Sequence, residues 1–454
     1  MNLESHTEFL QNKDLLPAES ILLGSLAENE RCSFTKNSEN KIRGSLLESL
    51  IRTDQNTSIL PDKGIVIEGA FIVGDIDLCG CTIAKPIEFH GCKVLGVLDL
   101  SKSKISELIL KGTSVERLKL GGIKCSGNII LSYGFKTLHT VSARGAQIGG
   151  QLGCSGGEFL GYPLAITLES ATVKEAFFWR HIKGLWGKVD LTNTTVGLFV
   201  DDPDSWPNRG DLRLAGFSYE ALGSNTNPSY YDRLDWLNRQ YVPHLREDFR
   251  PQPFEQLIKV LQASGRHEVA KNIAIEKLKR QRNANYFRRN PKLVEYKLRH
   301  SNTQNFLQKI VMEMAVEKEK KVSLRNVFVN ILALLKWTKS YLFEVLAGYG
   351  YKPFRVIFWS LILIIFGTFA FSSHYMNGHI VNSSITNPSS FNGFAFALDT
   401  FVPLINLREA ENWELINNGS QAFQPMLMFY WSYIFIGWIF TAIFAASITG
   451  IIKK

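Results

Sequence analysis

Asp399 is the residue of this sequence whose position most suggests chemistry. It lies in an apolar stretch, residues 391–407 (FNGFAFALDTFVPLINL), between two uncharged segments at 356–372 and 426–452. A bilayer core needs about 20 apolar residues of helix, within a range of about 17 to 25. Both segments can therefore cross a membrane. The stretch between them predicts a re-entrant segment, which is tolerated at membrane depth only inside protein or along a cavity. An ionisable group is costly there, so Asp399 either shapes ion permeation or caps and pairs within the loop, for instance with Arg408.

Two sets of residues are the candidates for a pore. Gly393 and Pro403 suit the start and the break of a short helix, which we expect over residues 394–402. The candidates in the re-entrant segment are Asp399, Thr400, Pro403, Asn406 and Arg408. The second apolar segment is rich in small and hydroxyl-bearing residues, and its pore-lining candidates are Gly437, Thr441, Ala445, Ser447 and Thr449.

A cysteine cluster and a glycine-rich run suggest a metal site and a phosphate site, but both patterns have simpler structural interpretations. Cys79, Cys81 and Cys92 lie near His90, but their spacing departs from the common Cys-x2-Cys zinc patterns, and their place in a repeat favours packing. The glycine-rich run at 149–157 could cradle a phosphate only between a strand and a helix, and no helix is expected after it. The sequence contains no Ser/His/Asp order, His-Glu-x-x-His or Gly-x-Ser-x-Gly motif. We therefore predict no catalytic residue, cofactor or metal site.

A repeat organises the first half of the chain. From Gly64 onward, blocks of ten or eleven residues begin at positions such as 74, 85, 96, 106 and 116, and each has apolar residues two apart followed by a small or polar corner. Alternation at period two gives short strands with one buried face. A repeat that recurs this often indicates stacked coils that bury one another. We therefore expect a β-helix related to pentapeptide-repeat folds.

The predicted architecture is mixed and has five parts. A helical cap over 1–63, with helices near 17–28 and 45–52, precedes the β-helix solenoid at 64–222. A helical hairpin at 253–282, broken at Gly265, and a basic linker occupy 223–325. An interfacial helix and turn cover 326–353, and a two-span pore-like domain covers 354–454.

Charge is distributed unevenly along the chain. Residues 246–355 carry 23 Lys and Arg against 10 Asp and Glu, whereas the whole chain carries 51 against 42 and a net charge of +9. Such a block could bind nucleic acid or an anionic inner leaflet, where each Lys or Arg contributes about 1 kcal/mol. The block leads directly into an apolar-rich segment at 327–346 that is typical of an interfacial helix. This position favours the membrane over nucleic acid.

Basic residues also predict the orientation. Lys352 and Arg355 precede the first span and Lys453 and Lys454 follow the second, whereas the segment between the spans has one basic residue against four acidic ones. By the positive-inside rule both chain ends are cytoplasmic. The N-terminus has no basic region followed by an apolar core, so no signal peptide is expected. The six cysteines should then remain reduced, without disulfides.

Residues 348–355, GYGYKPFR, and the small-residue-rich end GWIFTAIFAASITG at 437–450 carry a resemblance. The region 346–454 resembles the two-helix pore module of potassium-channel-like proteins, in particular bacterial ones with a pentapeptide-repeat domain. Those channels have a filter of the form TTxGYGD, but this chain has VPLINLR at 402–408. Potassium filters use rings of backbone carbonyls, and the glycines that aim them are missing here. Potassium selectivity is therefore not implied.

The whole chain resembles a bacterial group of β-helix plus two-span proteins often labelled "membrane-associated oxidoreductase". The shared motifs are LLPAE at 15–19, Trp206-Pro207 followed by LRLAGFSY at 212–219, FEQL at 254–257, and LDTFVP at 398–403. The resemblances imply a multi-pass protein of the bacterial inner membrane and a homo-oligomer, a tetramer by analogy. The leading hypothesis is an ion-channel-like pore whose β-helix docks a cytoplasmic protein or ligand. The alternatives are a membrane-tethered scaffold without conduction and an oxidoreductase.

Overall fold

The computed structural model describes residues 15–34, 40–57, 60–223, 229–289, 324–383, 390–417 and 423–449. The chain forms two compact units, Met1–Arg280 and Gln281–Lys454, which are described separately. Much of the predicted basic linker, residues 290–323, lies outside the described residues.

The first unit is a β-solenoid of about seven turns, as the repeat predicts. It begins with helix α1 (Pro17–Ala27), strands β1 (Cys32–Ser33) and β2 (Lys41–Arg43), and helix α2 (Gly44–Thr57). The solenoid strands are β3 (Ile65–Glu68), β4 (Phe71–Val73), β5 (Ile76–Asp77), β6 (Thr82–Ile83), β7 (Ile87–His90), β8 (Lys93–Asp99), β9 (Lys104–Ile105), β10 (Leu108–Lys111), β11 (Ser114–Lys119), β12 (Lys124–Cys125), β13 (Ile129–Ile130), β14 (Lys136–Thr137), β15 (Val141–Ser142), β16 (Gln147–Ile148), β17 (Leu152–Gly153), β18 (Glu158–Phe159), β19 (Leu164–Thr167), β20 (Thr172–Trp179), β21 (Gly184–Leu185), β22 (Lys188–Asp190), β23 (Thr195–Asp201), β24 (Leu212–Arg213) and β25 (Ser218–Leu222).

Every strand pair in the solenoid is parallel and joins one coil to the next. Ile65 is paired with Ile87, Ile87 with Leu108, Leu108 with Ile129 and Ile129 with Leu152, so these coils are 21 to 23 residues long. One coil therefore holds two of the ten- or eleven-residue blocks. The inward positions are fully buried apolar residues, as the period-two alternation predicts.

Buried cysteines are part of this interior. Cys92 is buried, and its thiol donates to the carbonyls of Ile67 and His90 at 3.5 Å each. Burial raises the pKa of Cys92 to about 11, and that of Cys125 likewise to about 11. Both groups therefore stay protonated at neutral pH and act as small packing residues. All six cysteines are free thiols, and Cys79 is the exposed one.

The glycine-rich run fits closely between neighbouring coils. A β-carbon at Gly149 would lie 2.3 Å from the carbonyl oxygen of Ser126, and one at Gly150 would lie 2.4 Å from Oδ1 of Asn128. The short strand β17, and no helix, follows directly. These glycines therefore permit close backbone approach in the solenoid.

Helices close the solenoid at its C-terminal end. They are α3 (Tyr230–Asn238), α4 (Gln252–Ala263) and α5 (His267–Arg289), and α5 continues into the second unit. Helices α4 and α5 form the predicted hairpin, and Gly265 takes a φ of +75° at its turn, a conformation that glycine adopts without strain. The side chains Asp201 and Arg233 are buried together at this closure.

At the other end, a buried carboxylate holds the N-terminal cap. Glu19 is fully buried and accepts hydrogen bonds from the backbone N–H of Leu16 (2.9 Å), the backbone N–H of Arg43 (2.9 Å) and Nε of Arg43 (2.8 Å). The bond to Leu16 caps α1 in the manner of a capping box. Burial alone raises the pKa of Glu19, but the bonds from Arg43 and Leu16 outweigh it and hold that pKa below its ordinary value.

We expect Glu19→Gln to lower the free energy of unfolding of the first unit at pH 7 by about 2 kcal/mol, the scale of hydrogen bonds to a charged group. Because the folded pKa is lowered, this stabilisation is present above the ordinary pKa of 4.5 and is lost as the pH falls through the folded pKa. Denaturant unfolding of both variants between pH 7 and pH 3 measures the difference. A difference that stayed constant over this range would contradict the assignment.

The second unit contains two helices that are long and apolar enough to cross a membrane. Helix α6 (Leu324–Ala347) leads through a 3-10 turn at Gly348–Gly350 into α7 (Phe354–Met376). Strand β26 (Ile380–Asn382), helix α8 (Gly393–Phe401) and strand β27 (Trp413–Leu415) precede α9 (Phe423–Ile448). In the described part of the chain, the helices of sufficient length and apolar character are α7 with 23 residues and α9 with 26 residues. The two strands pair antiparallel and close the segment between the spans.

Candidate functional site

The short helix α8 packs against both long helices, and the site is built around it. The aromatic rings of Phe371 on α7, Phe396 on α8 and Tyr433 on α9 lie in one buried cluster. The centroid of Phe371 is 5.1 Å from that of Phe396 and 5.3 Å from that of Tyr433, both in edge-to-face geometry. Such pairs contribute beyond their buried area, so α8 is fixed in place by large side chains from two helices.

Three glycines let these helices approach closely. A β-carbon at Gly437 of α9 would lie 1.9 Å from the carbonyl oxygen of Phe401, the last residue of α8. One at Gly393 would meet the Ser372 hydroxyl at 2.2 Å, and one at Gly367 would meet the Tyr433 hydroxyl at 2.5 Å. Small residues at helix contacts are typical of membrane proteins, where close backbone packing drives association.

One buried hydroxyl reaches carbonyls on two other helices. Tyr433 Oη lies 3.3 Å from the carbonyl oxygen of Ala397 on α8 and 3.4 Å from that of Leu363 on α7. A phenol has a single proton to donate, so the two carbonyls share it. Tyr433 therefore ties α9 to both of the other helices at one point.

The ends of α8 follow the sequence signals with a shift of one residue. The helix runs over Gly393–Phe401, where 394–402 was expected, and Asn392 is its N-cap. Oδ1 of Asn392 accepts from the backbone N–H groups of Phe394 and Ala395 at 3.1 Å each. Pro403 follows the end of the helix, as expected.

Asp399 binds the returning chain. Its Oδ1 accepts from the backbone N–H of Leu407 and its Oδ2 from that of Ala410, both at 2.8 Å. The carboxylate thus holds two backbone donors rather than the Arg408 side chain that the sequence suggested. Carboxylate bonds to backbone N–H groups are among the strong ones, so this residue sets where the chain turns back.

The other candidates of this segment lie in α8 or in the turn that follows it. Thr400 is buried and donates to the carbonyl of Phe396 at 2.7 Å. Oδ1 of Asn406 accepts from the backbone N–H of Arg408 at 2.8 Å, and Arg408 takes a φ of +58°. Between them, Leu404 is 82% exposed and Leu407 is 48% exposed. An apolar loop tip this open is expected to be covered by lipid or by another chain.

The pore-lining candidates divide between two faces of α9. Gly437 and Ser447 are buried on the face that packs inside the unit. Thr441 and Ala445 lie on an adjacent face, and Thr449 directly follows the helix; Thr441 is half-buried, and Ala445 and Thr449 are exposed. Each step of four residues from Gly437 turns about 40° further away from the buried face. This second face borders an exposed apolar side of α9 that includes Trp431, Phe435 and Trp438, so it is one of the parts of α9 that are open to lipid, a pore or a partner chain.

Sequence reasoning missed a cluster at the Gly-Tyr-Gly turn. Arg282 is largely buried, and its Nη1 donates to Oε2 of Glu344 at 2.7 Å and to the hydroxyl of Tyr349 at 2.9 Å. The guanidinium also lies over the rings of Trp337 and Tyr341, at 5.2 and 5.6 Å from their centroids. The sequence marks only the turn itself, because Tyr349 stands between two glycines. In the structure Tyr349 takes a φ of +56° there. The contact with Arg282 has no local signal.

The two span-length helices agree with the two apolar segments predicted from the sequence. Comparisons of the chain with known proteins identify no family. No protein-family model matches the chain, and neither a curated protein nor a solved structure matches it.

Proposed function

We propose that the chain is a pore-like protein of the bacterial inner membrane that assembles as a homo-oligomer. The observation that carries the proposal is α8, a helix of nine residues packed between two span-length helices and turned back by Asp399. Non-helical backbone at membrane depth requires burial or a water-filled cavity. In a pore, the short helix would line the wall and the turn that follows it would form the constriction.

Assembly around a central axis accounts for the surfaces that a single copy leaves open. These surfaces are the apolar tip at Leu404 and Leu407 and the partly exposed face at Thr441, Ala445 and Thr449. Copies arranged around an axis would cover the tip and turn the hydroxyl-bearing face inward. A tetramer follows by analogy with two-helix pore modules. The loop has no filter glycines, so a pore of this kind is not potassium-selective.

The solenoid is proposed as a cytoplasmic docking domain. Apolar side chains follow the register of successive coils at Val73, Leu95, Leu138, Leu160 and Trp186, and Glu116 interrupts the row. All of these apolar side chains are exposed except Leu160, which is half-buried. Trp186 is 73% exposed and Leu138 is 54% exposed. Exposed apolar patches on a protein surface mark interaction sites. The same row favours the second candidate function, a membrane-tethered scaffold that docks a protein without conducting ions.

Ion flux through liposomes reconstituted with the full-length chain separates the two functions. We expect cation flux from the wild type and none from a chain that ends at Arg355. Asp399→Asn should change the cation-to-anion flux ratio, because it removes a negative charge from the re-entrant segment. It also leaves one backbone N–H without its acceptor, which should lower the stability of the turn by about 1–2 kcal/mol. Glu414→Gln, in the same segment but exposed, is the matched control. Absence of flux from folded, inserted protein would overturn the pore and leave the scaffold.

A further inference from the structure

One outward face of the solenoid carries a groove. It has a volume of about 630 Å³ and is lined by residues of β6, β9, β12, β16 and the start of β20. Helix α2 contacts β6 at one end of this face, and helix α4 contacts β25 at the other end. The groove lies on the coils between these two helices. Its volume is in the range of sites that hold small molecules.

Two columns of outward-facing residues form the groove. The first column contains, on successive coils, Lys104, Lys124, Gln147 and Thr172. The second column lies two residues further along each strand and contains Ser106, Ser126, Gly149 and Lys174. Most residues of the second column are small, and they stand beside the long side chains of the first. This contrast in size makes the face concave.

The groove is positively charged. Lys104, Lys124 and Lys174 are exposed, and in the described part of the chain none of them has an ion-pair partner. No Asp or Glu is among the described residues that line the groove. Elsewhere on the solenoid a lysine pairs with a carboxylate of the neighbouring coil, as Lys119 does with Asp99 at 3.0 Å. Like charges at facing positions of paired strands are destabilising, and an anion between Lys104 and Lys124 would remove that repulsion.

The lysines divide into a pair and a single residue. Lys104 and Lys124 face each other on paired strands, which lie about 4.8 Å apart, so both ammonium groups can reach one phosphate. Lys174 lies two coils beyond Lys124 and two residues further along the strand. Strand geometry puts its Cα about 12 Å from that of Lys124. The groove therefore offers two cationic centres, one at each end.

We propose that this groove binds a small polyol that carries two phosphate groups, of the sugar-bisphosphate class. Lysine binds phosphate as a point charge, so Lys104 and Lys124 would share one phosphate and Lys174 would hold the other. Polar side chains between the two centres can hydrogen-bond to the polyol hydroxyls; they are Ser126, Gln147 and Thr172. None of the described residues that line the groove is aromatic, so it lacks the stacking surfaces on which proteins bind single-stranded nucleic acid.

Calorimetric titration of the full-length protein in detergent tests the site, with fructose 1,6-bisphosphate as the probe. The salt concentration is kept near 0.01 M, because more salt screens exposed charges. We expect one bisphosphate per chain and no measurable binding of unphosphorylated fructose. Inorganic phosphate should bind about fivefold more weakly than the bisphosphate, since it reaches only one of the two centres.

Glutamine variants of the three lysines identify the binding surface. Lys104→Gln, Lys124→Gln and Lys174→Gln should each weaken binding by about fivefold, the upper range for an exposed ion pair. The triple variant should bind the bisphosphate no better than the wild type binds fructose. All three side chains are exposed, so these variants should fold. Lys183→Gln, at an exposed position outside the groove, is the matched control and should bind as the wild type does.

Four results would overturn the site. The wild type could bind no bisphosphate at concentrations up to about 1 mM, or the triple variant could bind it with wild-type affinity. Lys183→Gln could lose as much affinity as the groove variants, which would indicate diffuse attraction to the whole surface. Inorganic phosphate or a hexaglutamate peptide could bind as tightly as the bisphosphate, which would indicate a site for single anions or for acidic protein segments.

The inference does not rest on the proposed pore or on the docking row. Strands β6, β9, β12 and β16 belong to one sheet of the solenoid, and the strands that carry the apolar row belong to the other. The measurement is ligand binding and not ion flux. The site can therefore fail while the pore stands, and the pore can fail while the site stands.

Discussion

Gly437→Leu is expected to destabilise the second unit by at least about 3 kcal/mol, at or beyond the upper end of the usual cost of overpacking. The reason is geometric. A single β-carbon at this position would already lie 1.9 Å from the carbonyl oxygen of Phe401 and 2.8 Å from its carbonyl carbon. These are backbone atoms, so no rotamer change can relieve the clash. Helices α8 and α9 must separate, and the shared hydrogen bond of Tyr433 would be lost with them.

Thermal unfolding in detergent and the fraction of monodisperse protein measure this effect. Ala442→Leu, on an exposed position of the same helix, is the matched control and should behave as the wild type does. If the unit folds as before with leucine at Gly437, then α8 does not pack against α9 as described. Flux should disappear together with the packing, because the constriction depends on where α8 sits.

Features encoded by local patterns were predictable from the sequence. The period-two alternation gave the solenoid strands, and the long uncharged runs gave α7 and α9. The short helix was predicted to within one residue at each end, because Gly393 and Pro403 act on their immediate neighbours. The break at Gly265 was predictable for the same reason.

Features that depend on contacts between distant residues were not predictable. The repeat gave blocks of ten or eleven residues, but only strand pairing shows that two blocks make one coil. The sequence singled out Asp399 but not its partners, because the backbone N–H groups that it binds belong to the returning loop. Gly437 was a pore-lining candidate by composition, and only the packing reveals its contact with Phe401.

A second large effect is expected at the closure of the solenoid, where Arg233→Met should lower the free energy of unfolding of the first unit by about 3–5 kcal/mol. The Arg233 and Asp201 side chains are 4% and 3% exposed. Nη1 and Nη2 of Arg233 donate to the two carboxylate oxygens of Asp201 at 2.9 and 2.7 Å. Removing the guanidinium leaves a buried carboxylate whose remaining donor is the indole N–H of Trp206, at 2.8 Å. A single neutral donor cannot offset the lost hydration of a buried charge.

Denaturant unfolding of the full-length chain can separate the loss of the pair from the loss of a long side chain. Arg209→Met removes an arginine that is 73% exposed and pairs with Asp235; such a surface pair should contribute less than about 1 kcal/mol. The double variant Asp201→Asn/Arg233→Met should recover much of the loss, since the amide oxygen still accepts from Trp206 and no charge remains buried. If Arg233→Met cost no more than Arg209→Met, the buried pair would not hold the closure. If the double variant gained nothing over the single one, the loss would instead come from packing around Arg233, whose guanidinium lies 5.7 Å from the ring centroid of Trp236.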